Sequence, residues 1–343
     1  MKPKLNFGCL PTIIGSMPHK DPHAACRQVL KYLPQVPAWP QLPSLSALEN
    51  QYLQSSEGFP GLSDREPGLR IDRSAFELHL EGLYQAYLSG DHNKYPVSPK
   101  YAAGLHAFIS LGSRTDCACV KGQMTGPISW GLSLTQADGK PGIYDDTIAD
   151  AMARFLRLKA AWQEQLLREL CPRTMIFVDE PSLAYMGSAF VSLSKEKVLK
   201  LLNEVLGGIS GVRGVHCCSN TDWPILFESA TDVVSFDAYG FAASFALYPT
   251  EVAAFLKRGG SIAWGIVPNN QHDLTKETVN SLRDRLEEAM APFTRKDVPF
   301  RQLLEQALLT PSCGLASLST EQSATAMQLL ADLSAHVRRK YSL

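Results

Sequence analysis

The stretch Thr174–Leu206, TMIFVDEPSLAYMGSAFVSLSKEKVLKLLNEVL, places a short apolar run rich in β-branched and aromatic residues before an amphipathic helical pattern. The run predicts a buried strand, and the pattern after it predicts a helix. The same pair recurs four more times toward the C-terminus. Its later runs are VRGVHCCSN from residue 212, DVVSFDAYG from 232, SIAWGIVPN from 261 and LLEQALLTPSCG from 303. Strands that alternate with helices in this way are typical of a parallel sheet.

Three further apolar runs precede this repeating part of the chain. They are LPTIIGSMP from residue 10, PAWPQLP from residue 37 and CACVKGQMTGP from residue 117. Together with the five later runs they give eight strands. Eight strands that alternate with helices favour a closed (β/α)8 TIM barrel over a doubly wound sheet. We therefore predict an α/β chain in which residues 1–343 form a single barrel domain.

The stretch from about Ser44 to Ser113 interrupts this alternation. It is polar and contains the helical pattern IDRSAFELHLEGLYQAYL from residue 71. We predict that residues 44–113 are a polar helical insertion after the second strand, placed to cover the mouth of the barrel.

The composition excludes several classes of function. The chain has 343 residues, with 33 Lys and Arg against 34 Asp and Glu, and its pI is near 6.7. Because it has no basic field to bind phosphates, nucleic acid is not an expected partner. No run approaches the roughly 20 apolar residues of a membrane helix, and the N-terminal sequence is not that of a signal peptide. We therefore expect a cytoplasmic protein with no membrane partner.

Polar side chains with metal-binding capacity lie where the predicted strands end. His216 and Cys218 share one face of their strand, while Cys217 points to the other face. Cys313 and Asp237 follow other strands at the same end of the predicted barrel. Zinc takes four ligands, or three and an open position, so these residues predict a zinc site. The alternative is that the thiols are small buried hydrophobes and His216 is a hydrogen-bonded histidine at the rim of the barrel.

Two other motifs also end strands. In VDEP, the carboxylates Asp179 and Glu180 are candidates for an acid, a base or an ammonium-binding group. Because neighbouring side chains alternate, we expect only one of them to face the pocket. The alternative is that they cap a helix. The motif KGQMTGP from residue 121 predicts a tight βα loop, and it is not a P-loop because the GK[ST] order is missing.

Six motifs in order resemble the catalytic domain of cobalamin-independent methionine synthase, in its short core form. They are Thr12–Pro18 (TIIGSMP), Lys121–Pro127 (KGQMTGP), Val178–Pro181 (VDEP), His216–Cys218 (HCC), Phe236–Asp237 (FD) and Pro311–Gly314 (PSCG). The resemblance spans nearly the whole chain and extends to the superfamily of uroporphyrinogen decarboxylase and corrinoid-dependent methyltransferases. It implies a zinc-dependent (β/α)8 barrel that methylates the thiol of homocysteine to form methionine.

The resemblance also implies which residues hold the metal. His216 and Cys218 match the HxC motif of the family, and Cys313 matches the cysteine before glycine on the last strand. Asp237 stands where the family usually has Glu, and it is the fourth expected ligand. The expected cofactor is therefore Zn²⁺.

Further residues are assigned to the amino-acid pocket by the same resemblance. Ile14, Gly15 and Ser16 correspond to the segment that holds the substrate carboxylate, and Asp179 to the carboxylate that holds its ammonium group. Glu49, in LENQY, is a second ammonium partner.

The expected methyl donor follows from two further residues and from the extent of the match. Trp130 corresponds to an aromatic residue that lines the donor site, and His272 to an acid after strand 7, although the spacing in GIVPNNQHD is altered. The resemblance covers the catalytic barrel and not the additional N-terminal barrel of the folate-using enzymes. We therefore expect a methylcorrinoid, either methylcobalamin or a corrinoid protein, rather than methyltetrahydrofolate.

Other functions stay open from the sequence alone. One is a metal-free enzyme of the decarboxylase branch, whose acidic tetrapyrrole would need arginines at the mouth. The chain offers Arg65, Arg70, Arg73 and Arg114 in and just after the predicted insertion. The others are a zinc methyltransferase for a different thiol and a non-enzymatic protein that handles corrinoids or thiols.

Overall fold

A computed structural model of the chain describes residues 6–62, 69–112, 117–188, 191–295 and 298–343. Within these ranges seven strands form one parallel sheet, in the order β1-β7-β6-β5-β4-β3-β2. The strands are β1 (Leu10–Pro11), β2 (Val120–Thr125), β3 (Thr174–Asp179), β4 (Val212–Cys217), β5 (Val233–Phe236), β6 (Ser261–Val267) and β7 (Ala307–Pro311). The predicted α/β class and the parallel sheet are confirmed.

The predicted second strand, PAWPQLP, lies between the two edges of this sheet without becoming a regular strand. The Gln41 amide donates to the Gly15 carbonyl at 3.0 Å on the β1 side. On the other side the Lys121 amide of β2 donates to the Pro37 carbonyl at 2.9 Å. Pro37 and Pro40 have no N–H to donate, so a continuous ladder cannot form here. The arrangement is compatible with a TIM-like barrel whose eighth position is held by isolated bridges.

Helices connect the strands and cover the outside of the sheet. The described residues form fourteen α-helices. They are α1 (Pro22–Tyr32), α2 (Gln51–Gln54), α3 (Arg73–Ser89), α4 (Ala103–Ser110), α5 (Pro127–Ser133), α6 (Asp146–Arg168), α7 (Lys195–Leu206), α8 (Trp223–Glu228), α9 (Ala238–Phe245), α10 (Pro249–Lys257), α11 (Gln271–Leu274), α12 (Val279–Thr294), α13 (Phe300–Glu305) and α14 (Thr320–Tyr341). No helix among the described residues is both long and apolar enough to cross a lipid bilayer.

Polar caps fix where the long outer helices begin. The side chain of Asp145 accepts a hydrogen bond from the Thr147 amide at the start of α6. Ser194 caps α7 in the same way. At α14, Ser319 and Gln322 form a reciprocal capping box. These contacts satisfy amide groups that have no partner within the helix.

The alternation of side chains along the strands divides the core into two layers. On β3, Met175 and Phe177 point into a cluster formed by the strands themselves, while Ile176 and Val178 point outward to the helices. The inner cluster also contains Phe7, Val36, Cys119, Val212, Val233, Ala263 and Leu308. Residues that end a strand on its inner face are therefore directed toward one common space.

The predicted insertion at about 44–113 is only partly described, because residues 63–68 and 113 fall outside the described ranges. Its two longer helices, α3 and α4, do not confirm a polar cover over the mouth. α4 packs against α1, and α3 packs against α6, so both belong to the outer helical layer. α4 is also not polar, since Leu105 and Phe108 are buried. The single-domain organisation stays a prediction.

Gly104 of α4 gives a test of how this outer layer packs. An added Cβ would lie 1.8 Å from the Pro40 carbonyl oxygen, which is backbone and cannot swing away. We expect Gly104→Ala to lower the free energy of unfolding by about 1–3 kcal/mol, measured by urea denaturation. Gly82→Ala in α3 is the matched control, because its nearest atom is the flexible Lys94 Nζ at 3.2 Å. The control should keep or gain stability, and equal losses in both variants would contradict this packing.

Candidate metal and amino-acid site

Three metal-binding side chains meet beyond the carboxyl ends of the strands. The ligand atoms of His216, Cys218 and Cys313 all lie within 4.8 Å of one another. His216 is buried, and its Nδ1 lies 3.0 Å from the Ser235 hydroxyl. Its Nε2 is buried with no hydrogen-bond partner in the described part of the chain. In a metal-binding histidine, one ring nitrogen usually forms a hydrogen bond with a neighbouring group and the other binds the metal.

The two thiols of this cluster interact directly. Hydrogen bonding from the Cys313 thiol lowers the pKa of Cys218, and the same interaction raises the pKa of Cys313. Cys218 is therefore the thiol that ionises first, and the thiolate is the form that binds metal. Cys217 lies outside the cluster, in the layer between strands and helices. Two sulfurs and one imidazole nitrogen form a donor set that suits zinc.

The fourth expected ligand, Asp237, is not part of this three-residue group. It caps α9, and its Oδ1 accepts a hydrogen bond from the Gly240 amide at 2.7 Å. Burial raises the pKa of the Asp237 carboxyl to about 6, and the nearby Cys218 thiolate adds to this increase. Asp237 is therefore close to the cluster but engaged with a helix end, and its role as a ligand stays a prediction.

A cavity of about 190 Å³ opens beside the cluster. Its lining combines the three metal-binding residues with most of the residues expected to hold an amino acid. The lining residues are Ile14, Ser16, Gln41, Pro43, Glu49, Asn50, Gln51, Asp179, Pro181, His216, Cys218, Cys313 and Gly314. The structure thus brings together residues that lie as far apart in the sequence as Ile14 and Gly314.

Asp179 is a buried carboxylate of this cavity with one oxygen that accepts no hydrogen bond from the described residues. It is 5% exposed, and its Oδ1 has no hydrogen-bond partner among the described residues. Burial raises the pKa of the Asp179 carboxyl to about 6, while His216 and Lys121 favour its charged form. A buried carboxylate oxygen without a donor is costly. The cavity is therefore suited to a cationic group placed against Asp179.

Glu180, the neighbour of Asp179, has a different role. Its carboxylate accepts hydrogen bonds from the amides of Ile128 and Ser129 at 2.8 Å each, and from the Ser129 hydroxyl at 2.7 Å. It therefore satisfies the first turn of α5, where a Cβ at Gly126 would lie 2.2 Å from the carboxylate. Of the two carboxylates in VDEP, one lines the cavity and the other caps a helix.

Glu49 lines the cavity but is already hydrogen-bonded. Its two carboxylate oxygens accept from the Ala103 amide at 2.6 Å and the Leu42 amide at 3.1 Å. Burial raises the pKa of the Glu49 carboxyl, and these amides oppose that shift. Glu49 thus fixes the loops around the cavity while presenting a carboxylate to it.

The Ile14–Ser16 segment forms another wall of the cavity. The Ile14 carbonyl accepts a hydrogen bond from Lys121 Nζ at 2.6 Å. Gly15 is required by close packing, because a Cβ there would lie 2.6 Å from the Gln123 side chain. Gly314 allows a similar approach, since its Cβ would meet the Ser16 hydroxyl at 1.9 Å. The wall is therefore positioned by β2 and by the loop after β7.

Besides Gly15 and Asp237, which are also absent from the lining, two expected site residues lie away from the cavity. Trp130 is fully buried in the core, where its ring stacks on Phe155 and its indole N–H donates to the Tyr52 carbonyl. His272 is exposed on α11 and contacts Lys276. Neither residue lines the cavity beside the cluster.

Several residues of the site had no role assigned from the sequence. Ser235 holds His216, and Lys121 holds the Ile14 carbonyl. Gln41, Asn50 and Gln51 complete the lining. Lys121 did carry a signal, because a lysine in a buried strand usually has a specific partner. Gln41 and Asn50 lie in loops and Gln51 begins α2, and none of the three is part of a recognisable sequence motif.

A second cavity, of about 490 Å³, lies at the amino ends of β4, β5 and β6. Its charged groups bind one another and the backbone. Arg213 pairs with Asp232 at 2.8 Å, and Arg258 donates to the Ser229 carbonyl at 3.2 Å. The smaller cavity, which holds unpartnered polar atoms, is therefore the candidate site.

Comparison with known proteins gives a likeness in fold. No protein-family model and no curated protein matches the chain. Its fold is similar to the solved structure of a B12-independent methionine synthase from Shewanella sp. W3-18-1 in complex with selenomethionine, with a TM-score of 0.59. The likeness covers 98% of this chain and 99% of that chain, at 14% identity. The two proteins share a fold. This structural neighbour is of the family that the sequence motifs resemble.

The cluster predicts a measurable metal content. We expect the purified protein to carry about one zinc per chain, measured by elemental mass spectrometry. Cys218→Ser and Cys313→Ser should each lose most of this zinc, because both thiols belong to the cluster. Cys217→Ser is the control and should keep it, since Cys217 lies in the outer layer of the core. Equal loss in all three variants would overturn the assignment.

Proposed function

We propose that this chain is a methyltransferase that moves a methyl group to the thiol of homocysteine and forms methionine, with zinc as its cofactor. One observation carries the proposal: the His216, Cys218 and Cys313 cluster opens onto the same cavity as the unpartnered oxygen of Asp179. A metal-binding group and a cation-binding group in one small cavity match a substrate with a thiol at one end and an ammonium at the other. The methionine synthase that shares the fold supports this reading.

The residues present fit a zinc ion. Nε2 of His216 is buried and unpartnered within the described ranges, and two thiols face it. His216, Cys218 and Cys313 would hold the ion, with Asp237 proposed as a fourth ligand. When bound there, zinc would lower the pKa of the substrate thiol, so that it reacts as a thiolate at neutral pH.

The remaining residues would bind and orient the amino-acid end of the substrate. Asp179 is proposed to accept the ammonium group, with Glu49 as a second carboxylate beside it. The Ile14–Ser16 wall is proposed to hold the carboxylate. Holding both ends fixes the thiol against the metal-binding cluster, and such positioning lowers the barrier of a two-reactant displacement.

The decarboxylase alternative lacks the arginines that its acidic substrate needs. Arg65 and Arg114 fall outside the described residues. Arg70 donates to the Ala137 carbonyl at 3.2 Å, and Arg73 pairs with Asp145 at 2.7 Å. No arginine lines the cavity in the described part of the chain, which favours methyl transfer over tetrapyrrole chemistry.

The methyl donor is proposed to be a methylcorrinoid. A methyl group leaves a folate nitrogen only if that nitrogen is protonated, so folate use needs a placed general acid. His272, the expected acid, is exposed on α11 and does not line the cavity. The solved neighbour, which matches this chain over 99% of its own length, is described as B12-independent. An enzyme of this extent is thus known that is not named as using a corrinoid. Chain length therefore gives no support to the corrinoid, and the proposal rests on the position of His272.

The substrate proposal is tested by comparing two thiols. Homocysteine should be methylated about 10–100-fold more efficiently than 2-mercaptoethanesulfonate, because only homocysteine supplies a cation for Asp179. Asp179→Asn should lower kcat/KM for homocysteine by a similar factor and leave the sulfonate reaction within about threefold. Comparable methylation of both thiols by the wild type would contradict homocysteine as the specific substrate and favour a methyltransferase for a different thiol.

The donor proposal is tested with both donors side by side, in the presence of zinc. We expect methionine from homocysteine and methylcobalamin, and none from methyltetrahydrofolate, because His272, the expected acid, does not line the cavity. His272→Ala should leave the methylcobalamin reaction unchanged. Turnover with the folate at an equal or higher rate, lost in His272→Ala, would reverse the assignment of the donor.

A further inference from the structure

Lys121 is a buried lysine directly behind the cavity, and the function proposed above does not use it. It points inward from β2 and is completely buried. Its Nζ donates to the Ile14 carbonyl at 2.6 Å and to Gln123 Oε1 at 3.1 Å. Gln123 is itself fixed, because its Nε2 donates to the Trp39 carbonyl at 2.9 Å. Both acceptors of the lysine are therefore held in place.

An aromatic ring closes a third side of this amine. Nζ lies 4.4 Å from the centre of the Phe177 ring, within the range of a cation–π contact. The ring takes this position because residue 214 is glycine, where a Cβ would lie 2.1 Å from the ring. Two oxygens and the face of an aromatic ring thus surround the Lys121 amine and fix its position.

The charged groups that line the cavity indicate what a lysine behind its wall can do. Its titratable lining residues are Glu49, Asp179, His216, Cys218 and Cys313. In the described residues no lysine or arginine lines it. A substrate carboxylate would therefore enter a space that already holds two acidic groups, and repulsion would oppose its binding. Lys121 lies behind the Ile14 carbonyl. Burial lowers the pKa of Lys121 to about 7, while the nearby Asp179 carboxylate favours its charged form.

The peptide that Lys121 holds also presents free donors. The Ile14 carbonyl and the Gly15 N–H belong to one peptide group. Neither the Gly15 nor the Ser16 amide has a hydrogen-bond partner in the described part of the chain. A hydrogen bond to the carbonyl polarises the peptide and strengthens its N–H as a donor.

We propose that Lys121 is a positioning residue that makes the Ile14–Ser16 wall able to bind a carboxylate. It fixes the Ile14–Gly15 peptide and places a positive charge behind it. Through this wall it selects α-amino acids over amines that lack the carboxylate. The inference rests on the proposed function, since it takes the cavity to be an amino-acid site.

A matched pair of ligands tests this role without any methyl donor. L-methionine carries the carboxylate, and 3-(methylthio)propylamine is the same molecule without it. Binding of each to the purified protein is measured by isothermal titration calorimetry. In Lys121→Met, the Kd of L-methionine should rise about tenfold or more, while that of the amine should change less than about threefold.

Lys159→Met is the matched control variant. Lys159 is also a buried lysine, 2% exposed, but its Nζ donates to the Pro96 carbonyl at 3.2 Å and it does not line the cavity. It should bind both ligands as the wild type does. If Lys121→Met does not fold, Lys121→Gln keeps an N–H donor without the charge and should still weaken L-methionine selectively.

The possible results separate this inference from the proposed function. Equal losses for both ligands in the Lys121 variants, or no loss for either, would overturn the positioning role while leaving the amino-acid site intact. A wild type that binds neither ligand would contradict the proposed function and the inference together. Weaker L-methionine binding in Lys159→Met, equal to that in Lys121→Met, would also overturn the role of Lys121.

Discussion

The parallel pairing of β3 with β4 places Asp179 directly beside His216. Because side chains alternate along a strand, Cys218 then falls on the same side as His216, while Val178 and Cys217 turn outward into the helical layer. A slip of one residue in this register would turn the carboxylate away from the imidazole. The proposed binding of a metal and of a cation in one cavity therefore depends on a single set of backbone hydrogen bonds.

Three buried carboxylates around the cavity differ in how their charge is satisfied. Glu180 accepts three hydrogen bonds from the start of α5, and Glu49 accepts backbone amides on both oxygens. Asp179 keeps one oxygen without a donor among the described residues. Since a buried charge needs partners, the first two hold the loops in place and the third remains available to a ligand. The fold thus supplies a rigid frame for one reactive carboxylate.

Local patterns in the sequence were enough to predict the parallel sheet and the strand ends where the metal-binding residues meet. They were not enough where a contact joins distant parts of the chain. The hydrogen bonds from α5 to Glu180 span about fifty residues, so no local pattern shows them. The prolines at 37 and 40 interrupt a run that otherwise looks like a strand. Trp130 and His272 were assigned by resemblance alone, and their positions depend on how α5 and α11 pack.

The proline-containing segment at 37–41 has a consequence for how the molecule moves. It joins the edges of the sheet through isolated bridges, whereas β2, β3 and β4 pair through continuous ladders. A seam with few backbone hydrogen bonds opens at a lower free energy than the strands beside it. This seam borders the Ile14–Ser16 wall, and the strand that carries His216 lies three strand positions away, beyond β2 and β3. The proposed amino-acid pocket can therefore loosen while the strands that carry Asp179 and His216 stay paired.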